Sequence, residues 1–179
     1  MRPAAAAALA GLLLALAACG EGTPPAPTAP PPPPSGTGYF VGSDEGIGAT
    51  LDMLGDDPVS RSVERALVAE VGPTGDVPDV GIASIVNETP SGFAAPRFVA
   101  ILEGGRAVIL TPARDALRGA RGPAARQARA RLRAVPARIP SEGAGVAYLV
   151  LRGASADQVA KVVMAAGPQP SITLAARRR

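Results

Sequence analysis

Histidine and tryptophan are missing from this 179-residue chain, cysteine and lysine occur once each, and aromatic residues make up 3 %. Each shortage excludes some chemistry. Without histidine, neither a Ser-His-Asp nor a Cys-His arrangement can be built. Zinc sites of the usual Cys/His type are excluded as well, and no metal ligand set or cofactor motif stands out. A lone cysteine forms no disulfide within the chain. With only Tyr39, Phe40, Phe93, Phe98 and Tyr148 as aromatics, the core must be built from Val, Ile, Leu and Ala. Only one long apolar run is present, Ala4 to Ala17. It is short of the ~20 residues a spanning helix needs, so no transmembrane helix is expected.

Residues 1–18 read as a targeting segment, with Arg2 before an apolar stretch and small residues at its end. The sole cysteine follows at once, in Leu16-Ala17-Ala18-Cys19. This quartet resembles the lipobox of bacterial lipoproteins. The resemblance covers residues 1–20. It implies that Cys19 receives a diacylglyceryl group, that the leader is removed before it, and that the new amino terminus is acylated. Two or three acyl chains would anchor the protein stably in a membrane. Gly20 stands where an aspartate favours inner-membrane retention in Gram-negative lipoproteins, so the outer membrane is the favoured location in the cell envelope.

After the cysteine comes a segment with eight prolines among residues 24–34, five of them consecutive. Proline fixes φ and lacks a backbone donor, so polyproline II is expected. At ~3.1 Å per residue, an 18-residue linker would reach ~55 Å, a semi-rigid spacer between anchor and domain. The organisation read from the sequence is therefore a cleaved leader (1–18), a lipidated cysteine with its linker (19–38), one globular domain (39–176) and a basic tail (177–179).

Within the domain, the spacing predicts helices over Ile47 to Leu54, from Pro58 to Val71, from Ala113 to Arg118, from Pro123 to about Val135, and after Ser155. In the last, Val159, Val162, Val163 and Ala166 form an inner stripe, and Ser155 to Gln158 has capping-box spacing. Strands are expected at 39–41, 80–86, 146–151 and 171–175. The clearest strand signal is a 97–110 hairpin around Gly104-Gly105, where both central residues can take positive φ. This pattern predicts an α+β fold. Helices would form one layer over a mainly antiparallel sheet of four or five strands containing that hairpin.

Three features invite functional readings. Gly42-Ser43-Asp44-Glu45-Gly46-Ile47-Gly48 looks like the glycine-rich turn of short-chain dehydrogenases. That family pairs a tyrosine with a lysine four residues on; here Arg152 follows Tyr148, and Asp44 and Glu45 would repel a phosphate, so a structural turn is expected. Lys161 invites a Ser/Lys enzyme. Charge is the third feature. Residues 38–103 hold eleven acidic and three basic side chains, whereas residues 104–179 hold three acidic and fourteen basic ones. Eight arginines fall between Arg114 and Arg138 with one acid among them. Arginine suits bidentate contact with carboxylate or phosphate. Arg126, Arg129 and Arg133, at i, i+3, i+7 spacing, are the candidate contacts for an acidic envelope component or partner protein. Nucleic acid is a poor partner outside the cytoplasm. The expected function is a non-enzymatic, lipid-anchored envelope binding or accessory domain. The alternatives are a structural subunit of an envelope complex, or a small enzyme using carboxylates or Ser/Lys.

Overall fold

The structure, a computed structural model, describes residues 38–53, 56–72, 76–133, 135–167 and 171–177. The chain divides into two units, Met1–Pro32 and Pro33–Arg179, and every described residue belongs to the second. The leader, Cys19, the proline-rich segment and the last two residues of the basic tail lie outside the described residues.

The described chain opens with a hairpin of β1 (Tyr39–Asp44) and β2 (Ile47–Asp52). Its two-residue turn, Glu45-Gly46, has positive φ at both positions, 46° and 79°. That geometry matches the right-handed twist of the flanking strands. Helix α1 (Pro58–Val71) follows. Asp57 caps it, accepting from the Val59 and Ser60 amides at 2.9 and 3.1 Å. Pro58 suits the first turn because its missing N–H has no partner there anyway. Gly72, at φ 73°, ends the helix. Then come β3 (Asp79–Asn87), the two-residue β4 (Phe93–Ala94), β5 (Arg97–Leu102) and β6 (Ala107–Pro112). The single-turn α2 (Ala113–Ala116), α3 (Gly122–Arg133), the two-residue β7 (Arg138–Ile139) and β8 (Gly143–Leu151) come next. A 3₁₀ turn at Ala156–Gln158, β9 (Val159–Ala165) and β10 (Ile172–Ala176) complete the order.

Eight of these strands form a closed antiparallel barrel in the order β1, β10, β9, β5, β6, β8, β3, β2, with β2 returning to β1. β4 and β7 form a separate small ribbon. The expected α+β two-layer sandwich is thus corrected to a mainly β fold, a closed barrel with α1 and α3 packed alongside. Two helix expectations fail with it. Ile47, Ala49 and Leu51 alternate inward along β2, and the segment after Ser155 makes only the 3₁₀ turn before running out as β9. The added strands matter because four or five would leave two open edge strands, whereas each of these eight has a neighbour on both sides. The 97–110 hairpin is present as β5 and β6, with Phe98 opposite Leu110 and Gly104 and Gly105 at φ 85° and 86°.

The described residues form two apolar cores. One fills the barrel with Phe40, Leu51, Ile85, Phe98, Leu149, Met164 and Leu174, among others. The second lies on the outer wall of β3 and β8, where Val80 and Val150 meet Val63 and Leu67 of α1, Leu117 beyond α2, and Ala128 and Leu132 of α3. The buried face of α3 is Ala125, Ala128 and Leu132. Asn87, in an apparent Asn-Glu-Thr glycosylation pattern, is fully buried. Its amide donates to the Ser91 and Pro140 carbonyls at 3.0 and 2.7 Å and accepts from Thr89 N and Oγ1. It is the linchpin of the 87–92 loop rather than a modification site.

Candidate functional site

The chemistry-bearing side chains gather at the seam between the helix layer and the outer wall of β8. Tyr148 projects there from β8, opposite Ile82 on β3. A tyrosine with its ring against apolar neighbours needs a polar partner for its hydroxyl, and Asp57 at the start of α1 is that neighbour. Ser60, one turn into α1, is 2 % exposed. Asp57 Oδ1 serves the helix amides. The hydroxyls of Ser60 and Tyr148 come near without completing a good hydrogen bond to the other oxygen, so Asp57 Oδ2 and Ser60 Oγ are buried and unpaired.

The electrostatics follow from this crowding. Burial works against the Asp57 charge, but the Ser60 hydroxyl, the Ser60 and Val59 amides and Tyr148 together hold its carboxyl below the ordinary range. Burial first, then the charge and hydrogen-bonding pull of Asp57, push Tyr148 from 10.0 up to about 12. A raised folded-state value means that the neutral phenol favours the fold below about pH 10 and loses that contribution as pH climbs towards 12. The Asp57 contribution has the opposite sense, present above the usual carboxylate range and lost as pH falls through its lowered value. Ultraviolet titration should therefore place the tyrosinate transition of Tyr148 near pH 12. Asp57→Asn should move that transition downward, and an unmoved midpoint would show that Asp57 does not govern Tyr148.

The arginines divide into two groups. Arg114 Nη2 donates to the carbonyls of Leu132, at 2.7 Å, and Val135. Arg129 Nη1 donates to those of Leu117 and Ala120 at 3.0 and 2.8 Å. Arg131 donates to Pro58 O, joining α3 to the first turn of α1, and Arg118 pairs with Asp115. Arg114 and Arg129 reach carbonyls at or just past helix C-termini, where a cation is also favoured by the helix dipole, and the Leu117 and Leu132 oxygens accept a turn amide as well. Arg126 and Arg133 are exposed, and neither makes a hydrogen bond or ion pair among the described residues. So the structure separates the expected trio. Arg129 fastens the fold, while Arg126 and Arg133, seven residues apart, keep free charge on one face of α3.

The other sequence candidates fare differently. Lys161 is exposed on β9, and its cross-strand neighbours are Ile101 and Ala175, neither of which exchanges protons. The Gly42–Gly48 turn leads from β1 into β2 rather than into a helix, so no helix N-terminus is available for a phosphate. Among the described residues, no group of three His, Cys, Asp or Glu side chains could hold a metal, and no helix is long and apolar enough to cross a membrane.

The seam also contains a recess of about 100 Å³, lined by Ala95, Pro112, Ala137, Val146, Ala147 and the Tyr148 ring, with Arg114 among its walls. Sequence reasoning missed this place altogether. The available signal was Tyr148 itself, a phenol inside an otherwise apolar strand. No protein-family model matches the chain, and no curated protein or solved structure matches it either.

Proposed function

We propose that this chain is a lipid-anchored bacterial envelope protein whose barrel is a non-enzymatic binding module carried on a proline-rich spacer. The observation that carries the reading is the position of the sole cysteine, directly after Leu16-Ala17-Ala18. The arrangement of the barrel supports the binding half. Its interior is packed with side chains, so recognition falls to the outer surface. Lys161 stands apart from any serine or carboxylate on its neighbouring strands, which removes support from a Ser/Lys enzyme. The buried Ser60 and the half-buried Asp57 and Tyr148 belong to the attachment of α1. The outer membrane is the favoured location.

Intact-mass measurement of the native protein tests the anchor. The mature chain should begin at Cys19 and carry a diacylglyceryl group and an amide-linked acyl chain. Cys19→Ser should move essentially all of the protein out of the membrane fraction or leave its leader uncleaved. An unmodified amino terminus on the native product would sink the proposal.

A further inference from the structure

The recess beside Tyr148 has a structural origin. β6 pairs with β8 only at Thr111 and Pro112, opposite Val150 and Leu149, and the chain then turns into α2. The first six of the nine residues of β8, from Gly143 to Tyr148, continue without β6 beside them. Part of that gap is covered by residues 135–137, and the remainder is the recess. Small side chains at Ala95 and Ala137 keep it open, and Pro112 and Pro136 give it stiff walls.

Its chemistry is uneven. The lining residues are apolar apart from Tyr148 and Arg114. Arg114 is held in place by its two contacts to Leu132 and Val135 carbonyls, both from Nη2. A guanidinium has five N–H donors. The three on Nε and Nη1 make no hydrogen bond among the described residues, and the side chain is exposed. No neighbouring acid claims them. Asp115 pairs with Arg118, and Asp57 faces the α1 amides and Tyr148. A fixed guanidinium with an open edge is suited to a two-point contact with a carboxylate. About 100 Å³ has room for roughly three or four groups of methylene size, taking about 30 Å³ for a water-sized one.

We propose that this recess binds a carboxylate bearing a short aliphatic group, with Arg114 holding the carboxylate and the apolar walls taking the chain. The inference rests on the reading of the domain as a binding module and supplies its ligand chemistry. A free short-chain acid and the C-terminal carboxylate of a peptide ending in a small aliphatic residue both present that chemistry.

The test is a titration of the protein as isolated from its native source, whatever its amino terminus carries, in detergent micelles at low salt. The probes are valerate, pentanamide, Gly-Gly-Val and the C-terminal amide of Gly-Gly-Val. Valerate is expected to bind with a Kd on the order of 1 mM, as suits so few atoms, and each amide at least tenfold more weakly. Tighter binding of the peptide acid than of valerate would assign the source as a protein C-terminus; equal binding would assign free acids. Arg114→Gln should weaken binding at least tenfold. Because that change also removes a cap from α3, Ala95→Leu provides a second variant. It fills the recess from its rim, leaves Arg114 in place, and should cause the same loss with Tm unchanged. Equal binding of acid and amide, undiminished binding in a stable Ala95→Leu variant, or no binding of any acid at tens of millimolar would overturn the proposal. An unlipidated amino terminus would overturn the anchor and leave this titration unaffected.

Discussion

Phe98→Ala is expected to destabilise the barrel by about 3–5 kcal/mol, the usual cost of emptying a buried phenylalanine site. Phe98 is 0 % exposed at the centre of the interior core. Its strand pairs with β9 on one side and β6 on the other, so the walls cannot collapse inward without breaking ladder hydrogen bonds on both sides. Against a typical total stability of about 5–15 kcal/mol, such a loss leaves part of the population unfolded. Thermal denaturation should show Tm falling by roughly 10–20 °C. Ile109→Ala is the control. Ile109 is 72 % exposed on the outer wall, and its truncation should change stability by no more than about 0.5 kcal/mol. Comparable effects of the two changes would mean that the interior is not the principal source of stability.

Gly42→Ala should be nearly as damaging, for the opposite reason. A Cβ at position 42 would lie 2.4 Å from the Thr173 carbonyl oxygen and 3.0 Å from Leu174 Cα. Both are backbone atoms of β10, so no rotamer change relieves the contact. Either β1 or β10 has to move, and their pairing at Phe40–Ala176 and Val41–Ala175 is what connects the N-terminal hairpin to the last strand. Overpacking commonly costs about 1–3 kcal/mol, and a backbone clash belongs at or beyond the upper end. Gly48→Ala provides the comparison. Its Cβ would meet only Ser43 Cβ at 3.9 Å, so the restricted unfolded chain should leave stability unchanged or raised by a few tenths of a kcal/mol. Urea melts of the two variants give the answer directly. A Gly42→Ala midpoint equal to that of the parent would show that β1 and β10 are not held as closely as described.

The two segments misread as helices show what sequence periodicity can and cannot reveal. Helix α1 and the 97–110 hairpin were legible because their signals are local: a cap, a proline at the start, a glycine at the stop, a Gly-Gly turn. β9 was not, because its inward residues do not alternate strictly. The β5–β9 ladder shifts register between Ile101 and Leu102, so that Ile101 lies opposite Lys161 and Leu102 opposite Val159. The irregularity turns both Val159 and Val162 inward, three residues apart, which imitates a helical stripe. A bulge of this kind depends on the partner strand, and nothing within 155–166 announces it. The capping-box spacing was present, with Gln158 Oε1 accepting from the Ser155 amide at 3.2 Å, but it closes a single 3₁₀ turn. In β2, the helix expected over Ile47 to Leu54 overlooked that Ile47, Ala49 and Leu51 already alternate as a strand. Closure of the sheet was beyond reach for a further reason: it is set by which distant strands meet, β1 with β10 and β5 with β9. The recess is a product of that same long-range arrangement. The arginine-rich stretch was visible as charge, but its division between Arg129, which caps, and Arg126, which faces water, depends on where the Leu117 and Ala120 carbonyls fall.

Lys161 gives the molecule an unexpected practical property. It is the sole ε-amine in the sequence, it is exposed on β9, and on the anchor reading the terminal amine is blocked by a fatty acid. A dye or photocrosslinker delivered as an activated ester would then attach at one defined spot, on the strand flanked by β5 and β10, remote in sequence from every residue of the Arg114 recess. Whatever approaches that side of the barrel in the living cell could be captured covalently without altering a single codon.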